Sequence, residues 1–411
     1  MMLAPLWKLS REQQLFAIQD TFLEDKDIEI TARSEFLQLP PVDRGRDQRV
    51  FRITADLFGN QLATMIAKIP KLATSLEDNI SLISSFIGEI QKYVDCGRHP
   101  LLLDQYRLYN CWGVPMIVSA PQDVTLNALI ERREIALSGT EPVRLPVCDV
   151  DCVSVAIQIL HVLEYCSRRG IVSHQDLKPS NILLEIGPLA VVGGKAKVKY
   201  HVRVCDFGMA NAFAELGSRR GSRPYMAPEQ YSEEAPLHKA DVFATGVILH
   251  ELLTAGLHPI GVATATVWPL VPSHMPGNWG RDQKWGRWSR SGAKTVDDSL
   301  ALRDGGLAAI VLSALKPSVA ERPTAVVLKS ALHSWLLEHD PVEAALLSAE
   351  LDDLDKKAED RETRSDPPLA EDLEQYRRWF EQGRLADLDR SAASSEEIDR
   401  FIALSTEPRS A

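Results

Sequence analysis

Val172-Ser173-His174-Gln175-Asp176-Leu177-Lys178-Pro179-Ser180-Asn181 is the stretch on which the reading of this chain turns. It sets a carboxylate (Asp176), a cation (Lys178) and a carboxamide (Asn181) on one short loop that contains a proline. Asp206-Phe207-Gly208 begins 25 positions after Asn181 and adds a second carboxylate, beside a glycine that permits a tight backbone. Gly221-Ser222-Arg223-Pro224-Tyr225-Met226 leads into Ala227-Pro228-Glu229. Asp241-Val242-Phe243-Ala244-Thr245-Gly246 then starts an apolar helix, and Glu321-Arg322-Pro323 closes the series.

Transfer of a phosphoryl group needs aligned oxygens and neutralised phosphate charge, with little covalent chemistry from the protein. The loop carries the parts: a carboxylate to orient a hydroxyl, a cation for the moving phosphate, and oxygen ligands for Mg²⁺. A lone Asp-Phe-Gly means little. In their order, H-x-D-L-K-P-x-N, D-F-G and A-P-E resemble the eukaryotic-like Ser/Thr protein kinases over roughly residues 36–338. The resemblance implies an α+β, bilobal protein kinase-like fold, with a small β-rich N-lobe, a larger helical C-lobe and, here, a helical C-terminal extension. It implies ATP and Mg²⁺ as cofactors, with Mn²⁺ as a substitute, and transfer of the γ-phosphate to Ser/Thr hydroxyls of protein substrates. Asp176 takes the place of the catalytic base, Lys178 that of the γ-phosphate cation, and Asn181 and Asp206 those of the metal ligands. His174 orients the loop, Glu229 and Arg322 match the buried ion pair under the activation segment, and Asp241 matches the group that binds the catalytic-loop backbone.

In the first lobe, Met65-Ile66-Ala67-Lys68 is similar to the family's V-A-x-K strand. Lys68 is then the α/β-phosphate lysine; the competing reading is a surface strand lysine. Its carboxylate partner is Glu89, placed by the distance to His99-Pro100, with Glu77 as the alternative. Met116 to Pro121 resembles the strand and hinge that meet adenine, with Val118 as a small gatekeeper. Val50, Ala67 and Ala120 join the expected nucleotide contacts.

Three departures qualify the resemblance. The phosphate-covering loop falls on Asp43 to Val50, where only the middle glycine, Gly45, survives and Asp43 adds negative charge. Arg44, Arg46 and Arg49 either offset that charge or are solvated. Weakened ATP binding would make the chain a pseudokinase, a nucleotide-binding or scaffold module; the intact base, lysine and metal ligands favour an active enzyme. Gln175 stands where many members carry the arginine that pairs with a phosphorylated activation segment, so that switch is not expected. Ser222 falls at a structural position, which leaves Ser218 as the regulatory candidate. Residues 187–200 lengthen a hairpin around Gly193-Gly194. Residues 268–290 are rich in Trp and Arg and either pack on the lower lobe, the favoured reading, or dock a protein partner. Cys205, just ahead of Asp206, reads as a small apolar strand residue rather than a redox group.

The chain has 411 residues, 45% of them hydrophobic and 25% charged, and a net charge of −11. That balance argues against nucleic-acid binding. No uninterrupted apolar run nears the roughly 18 residues of a membrane span, and the first residues lack a signal-peptide pattern. No membrane partner is expected, and the expected location is cytoplasmic. The six cysteines form no C-x-x-C pair, which reads as free thiols in a reducing compartment.

Residues 341–411 carry 19 acids against 10 bases, a net of −9, against −2 for residues 1–340. This sets the expected organisation: an N-terminal extension (1–35), an N-lobe (36–121), a C-lobe (122–340) and an acidic helical tail (341–411). Asp340-Pro341-Val342-Glu343 reads as a helix start, and Leu347, Leu351 and Leu354, then Leu373, Tyr376, Trp379 and Phe380, form apolar stripes. The tail either packs on the main domain or regulates it, by engaging a partner or by folding on the basic Arg219, Arg220 and Arg223.

Overall fold

The computed structural model describes residues 2–23, 28–29, 48–57, 61–122, 124–135, 143–188, 190–192, 195–210, 221–232, 237–269, 275–291, 304–363 and 368–406. Helix α1 (Arg11–Leu23) precedes strands β1 (Ile28–Glu29), β2 (Gln48–Leu57) and β3 (Gln61–Pro70), helix α2 (Leu76–Cys96), and the hairpin of β4 (Gln105–Cys111) and β5 (Val114–Ser119). Next come β6 (Val124–Thr125), α3 (Asp149–Arg168), β7 (Ile182–Ile186), β8 (Ala190–Val192), β9 (Lys195–Lys197) and β10 (Tyr200–Val204). The rest is mostly helical: α4 (Ala240–Leu253), α5 (Asp282–Arg290), α6 (Gly305–Ala314), α7 (Ala325–His339), α8 (Pro341–Thr363), α9 (Pro368–Glu381), α10 (Arg384–Arg390) and α11 (Ser395–Thr406). The mixed α+β class and the helical extension are as expected. The chain forms two compact units, one of Met1–Val94, Asp104–Pro121 and Ser365–Ala411, the other of Asp95–Leu103 and Gln122–Arg364.

The first unit is built on an antiparallel five-stranded sheet in the order β1-β2-β3-β5-β4. Its first strand lies ahead of residue 36, within the stretch set apart as an extension. Alternation in β3 is clear: Met65, Ala67 and Ile69 are buried, and Ile66 and Lys68 half-buried. Helix α2 begins at Ser75, whose hydroxyl accepts the Asp78 amide (3.1 Å), and buries Ile83, Phe86, Ile87, Ile90 and Tyr93 along one stripe. The β4–β5 turn uses Trp112 and Gly113, at φ 45° and 87°, the two left-handed residues of a tight hairpin. A Cβ at Gly113 would come within 3.0 Å of Leu385 and Leu388, so glycine is also demanded by close packing.

Those leucines belong to the tail. Asp372 on α9 accepts the Leu108 amide (3.0 Å) and Arg107 Nε (2.9 Å), which satisfies a donor of the edge strand β4. The buried Tyr376 hydroxyl donates to the Gly113 carbonyl (2.9 Å). Phe16 of α1 meets Phe401 of α11 edge-on at 6.1 Å, and Gln13 donates to Asp399 (2.7 Å). The two ends of the chain thus cover the β4–β5 side of the sheet together.

The second unit is centred on α3. By length and composition this helix would pass for a membrane span, yet 72% of its apolar window is buried inside the protein. The count of uninterrupted apolar residues missed it because polar side chains interrupt the run. They have partners: Gln158 donates to the Tyr200 carbonyl (2.9 Å) and accepts the Val202 amide (3.0 Å). Strands β7 and β10 pair antiparallel from Ile182↔Val204 to Ile186↔Tyr200. The lengthened segment between them folds as the β8–β9 hairpin, with Val192 opposite Lys195; its Gly193-Gly194 turn lies outside the described residues.

Helix α8 packs on α3 and α7 through Ala344, Leu347, Leu351 and Ala358. Its Asp355 accepts from His99 Nε2 (3.0 Å) and His161 Nε2 (2.9 Å). His99 Nδ1 accepts the Leu101 amide (3.0 Å), and His161 Nδ1 faces the Lys329 ammonium (3.4 Å), so both rings carry their proton on Nε2. That tautomer makes a hydrogen-bonded clamp rather than a metal site. Burial lowers His99 to about 4 against the pull of Asp355, which keeps the ring neutral. The acidic tail is therefore divided: α8 belongs to the second unit, and α9 to α11 to the first. Its described carboxylates Asp355, Glu350, Asp372 and Asp399 engage His99 and His161, His201, Arg107 and Gln13, while Arg219 and Arg220 lie outside the described residues.

Candidate active site

The catalytic-loop backbone is fixed from below by Asp241, in the first turn of α4. Its carboxylate accepts the His174 amide (2.7 Å) and the Gln175 amide (3.1 Å). Burial pushes this carboxyl up, and His174 with the two amides pulls it back. His174 Nε2 reaches the Cys205 carbonyl (3.0 Å), and its ring lies 4.9 Å from that of Phe207. The histidine thus ties its loop to the Asp206 segment, in the orienting role expected. Gln175 and Asp206 are both left-handed, at φ 65° and 67°, a strained backbone for residues other than glycine. The Gln175 side chain donates to the Met209 carbonyl (2.9 Å), so this position holds the segment after Asp206 through a neutral bond.

Asp176 is held on both carboxylate oxygens. Lys178 Nζ donates to Oδ2 (3.0 Å) and the Ser222 amide to Oδ1 (2.7 Å), while Asn181 Nδ2 donates to the Asp176 main-chain carbonyl (2.9 Å). That last bond leaves Asn181 Oδ1 as the oxygen to present to a metal. The Cys205 amide donates to the Asn181 carbonyl (3.0 Å), so Asn181 and Asp206 sit on adjoining segments. The sequence marked Ser222 as structural, and its contribution is a main-chain N–H that its side chain does not announce. Gly221 was not singled out. A Cβ there would stand 2.7 Å from the Gln175 carbonyl, so only glycine lets this segment approach the loop.

Glu229 and Arg322 form the buried pair expected, with Arg322 Nη2 2.9 Å from Glu229 Oε2 and both side chains almost fully enclosed. Arg322 also donates to the carbonyls of Lys239 (2.8 Å) and Lys316 (3.0 Å). Arg322→Met should destabilise the second unit by about 3–5 kcal/mol, because it strands a buried carboxylate. Adding Glu229→Gln should recover part of the loss in a thermal melt; an equal or larger loss in the double variant would contradict this account.

Beneath Tyr225, Glu251 accepts from the Tyr225 hydroxyl (3.0 Å) and from Thr264. Burial pushes its carboxyl from the ordinary 4.5 to about 8, although both hydroxyls pull it down. The folded chain thus keeps a proton that the unfolded chain has released. The contribution of Glu251 to stability falls as pH climbs from about 4.5 to about 8 and levels off above, by on the order of 1 kcal/mol per pH unit. Glu251→Gln should flatten this slope in melts at pH 6 and pH 8; a slope equal to that of the natural chain would sink the assignment.

In the first unit, Lys68 Nζ lies 2.7 Å from Glu89 Oε1 and 5.8 Å from the Phe86 ring centre. Glu77 sits in the first turn of α2, 12 residues and therefore roughly 18 Å along the helix from Glu89. Two expectations need correction. The register pairs Lys68 with Val50 and Ile117, Ile66 with Ser119, and Ala67 with Val118. Cross-strand partners share a face, so Ala67 and Val118 lie on the side opposite Lys68, while Val50, Ile66, Ile117 and Ser119 share its side. The V-A-x-K spacing contained this signal: the alanine position is two before the lysine, which is Ile66. The Ala120 amide donates to the Asp104 carbonyl (3.2 Å), so it is engaged within the protein. Gly45 and the rest of Asp43 to Asp47 lie outside the described residues.

The Trp- and Arg-rich stretch packs through its tryptophans. Trp285 and Trp288 of α5 are buried, with Trp279 at 5.0 Å and Trp268 at 6.2 Å from Trp285.

The protein kinase domain family matches residues 65–328. A probable serine/threonine-protein kinase of Streptomyces coelicolor is 34% identical over 240 residues, 54% of this chain and 31% of that protein. The serine/threonine-protein kinase PknH of Mycobacterium tuberculosis is 32% identical over 137 residues, 32% of this chain and 19% of that protein. A serine/threonine-protein kinase of Arabidopsis thaliana is 32% identical over 132 residues, 29% of this chain and 21% of that protein. The chain therefore spans less than a third of the length of these relatives. With the ordered catalytic loop, the Asp206 segment and the Glu229–Arg322 pair on one chain, it belongs to the protein kinase family, in its eukaryotic-like Ser/Thr class.

Proposed function

We propose that the chain is an active kinase that transfers the γ-phosphate of ATP to Ser or Thr hydroxyls of proteins. The observation that carries this reading is the doubly held Asp176 carboxylate. Its oxygens are aimed by Lys178 and by the Ser222 amide, as a base that takes a hydroxyl proton requires. The substrate oxygen forms a bond to the γ-phosphorus as that phosphorus parts from the ADP oxygen, and the hydroxyl proton passes to Asp176. Lys178 neutralises charge on the moving group. Lys68, oriented by Glu89, holds the α- and β-phosphates, and Ile66 and Ser119, rather than Ala67 and Val118, share its side of the sheet. Asn181 Oδ1 and the Asp206 carboxylate are hard oxygen donors that suit Mg²⁺, which supplies charge neutralisation on the phosphates when bound.

The test is incorporation of label from γ-labelled ATP into the chain and into an added protein, with Mg²⁺ and then Mn²⁺. Label in either metal supports the reading. Its absence in both, together with an ATP-induced rise in melting temperature, would make the chain a nucleotide-binding pseudokinase instead.

A further inference from the structure

Helix α5 has two faces of opposite character. One is enclosed: Trp285 and Trp288 stand 5.1 and 4.6 Å from the ring of the buried His258, and Trp288 also meets Phe243 at 5.6 Å. The other carries Gln283, Lys284, Arg287 and Arg290, all exposed, at the three- and four-residue spacing that puts them on one side. Among the described residues, none of the three cations is paired with a carboxylate. Lys284 lies over the Trp279 ring (4.1 Å) and Arg290 over the Tyr231 ring (5.9 Å).

The arrangement sets like-charge repulsion against the helix dipole, which favours Arg287 and Arg290 in the last turn. Lys284 and Arg287, and Arg287 and Arg290, are like charges three apart, and each such pair costs about 0.2–0.5 kcal/mol. Lys284 and Arg290 are accounted for in part by their rings, Trp279 and Tyr231, whereas Arg287 has no ring contact among the described residues. The three cations gather in a chain whose net charge is −11.

The face is fastened to the residues that hold Asp176. His258 Nε2 reaches the Pro224 carbonyl (2.8 Å), and the Tyr231 hydroxyl donates to the Arg223 carbonyl (3.1 Å). The backbone of α5 presses on Tyr231 so closely that a Cβ at Gly286 would stand 3.1 Å from its ring. Arg223, half-buried over the Trp268 ring at 5.9 Å, directly follows the Ser222 whose amide holds Asp176. Arg223 is thus linked to the cationic helix α5 through Tyr231 and through Trp268 and Trp285. From Lys284 to Arg290 the helix rises roughly 9 Å, which about three residues of extended chain span.

We propose that the Lys284–Arg287–Arg290 face receives an acidic run of the protein substrate, so that the enzyme selects hydroxyls lying a few residues from clustered Asp or Glu. The inference rests on the kinase reading and names its substrate class. A patch of three exposed cations on an acidic chain matches a short acidic peptide better than a nucleic acid or a membrane, which draw on larger basic surfaces.

The test uses the full chain and its Lys284→Gln/Arg287→Gln/Arg290→Gln variant. Two fluorescent peptides differ only in carrying either four Asp/Glu or four Asn/Gln beside a central residue. With Ala at the centre, anisotropy reads binding without turnover. The natural chain should bind the acidic peptide about tenfold more tightly than the neutral one, three exposed ion pairs acting together. The triple variant, or raised salt, should remove most of that preference. Equal affinity of the natural chain for both peptides overturns the inference. So does an acidic preference untouched in the variant, or a face that in the same assay serves only phosphatidylserine vesicles or an oligonucleotide. With Ser at the centre, label transfer reads the kinase reading separately. No transfer to either peptide counts against the kinase reading; transfer with the same kcat/KM for both counts against the acidic substrate class.

Discussion

Asp176→Asn should lower label transfer by about a hundredfold to ten-thousandfold, the range over which a positioned base contributes, while the chain stays folded. The side chain keeps its shape and loses its basicity. It also loses one of its two supports. The Ser222 amide and the Lys178 ammonium both donate to the carboxylate, at 2.7 and 3.0 Å. A carboxamide offers one acceptor, so it can satisfy the amide only by turning its own NH₂ toward the ammonium, or the reverse. The loop itself should not move, because Asp241 holds it through the amides of His174 and Gln175. The loss should therefore fall on kcat rather than on the KM for ATP, and the melting temperature should hardly change. A variant that transfers label within threefold of the natural rate would remove Asp176 from the role of base.

How far each feature was legible depends on the distance over which its cause acts. The catalytic loop, the Asp206 turn, Asp241 and the Glu229–Arg322 pair were readable because each is a short motif whose residue types are set by local geometry and charge. Glu89 was readable from its spacing to His99-Pro100, and the ion pair with Lys68 lies where that spacing put it. Ala67 and Val118 were misplaced for different reasons. For Ala67 the pleat alone, which sets neighbours such as Lys68 on the other face, was overlooked; for Val118 the face depends on register with a strand some fifty residues away, where a shift of one residue moves a side chain to the other face. Gly221 and the Ser222 amide act through backbone, which a motif of side chains does not show. The apolar stripes of the tail were visible, as with Leu347 and Leu351 or Leu373 and Tyr376, but not the surfaces they cover. Those are the edge of β4 in one unit and α3 in the other.

Removal of residues 341–411 should yield an unstable or insoluble chain, not an activated one. The alternative sees the net −9 tail as a lid over the basic residues after Asp206, whose removal raises the rate. The burial argues otherwise. Ala344, Leu347, Leu351, Ala358, Leu369, Leu373, Tyr376, Leu385 and Ile398 are all enclosed. Burying one large apolar side chain contributes roughly 1.5–3 kcal/mol, so losing the larger of these together costs on the order of 10 kcal/mol, even as an upper estimate. That matches the whole stability of an ordinary domain, about 5–15 kcal/mol. Truncation would also bare the Leu108 amide of the edge strand β4, now capped by Asp372, and an uncovered edge invites aggregation. A graded version separates the two accounts. A cut after Thr363 keeps α8 and its Asp355 clamp on His99 and His161, and strips only the cover of the first unit. It should lower the transition of that unit while leaving that of the second in place. A soluble chain from either cut, with an unshifted melt and a higher rate on added substrate at low salt, would reinstate the tail as an inhibitor.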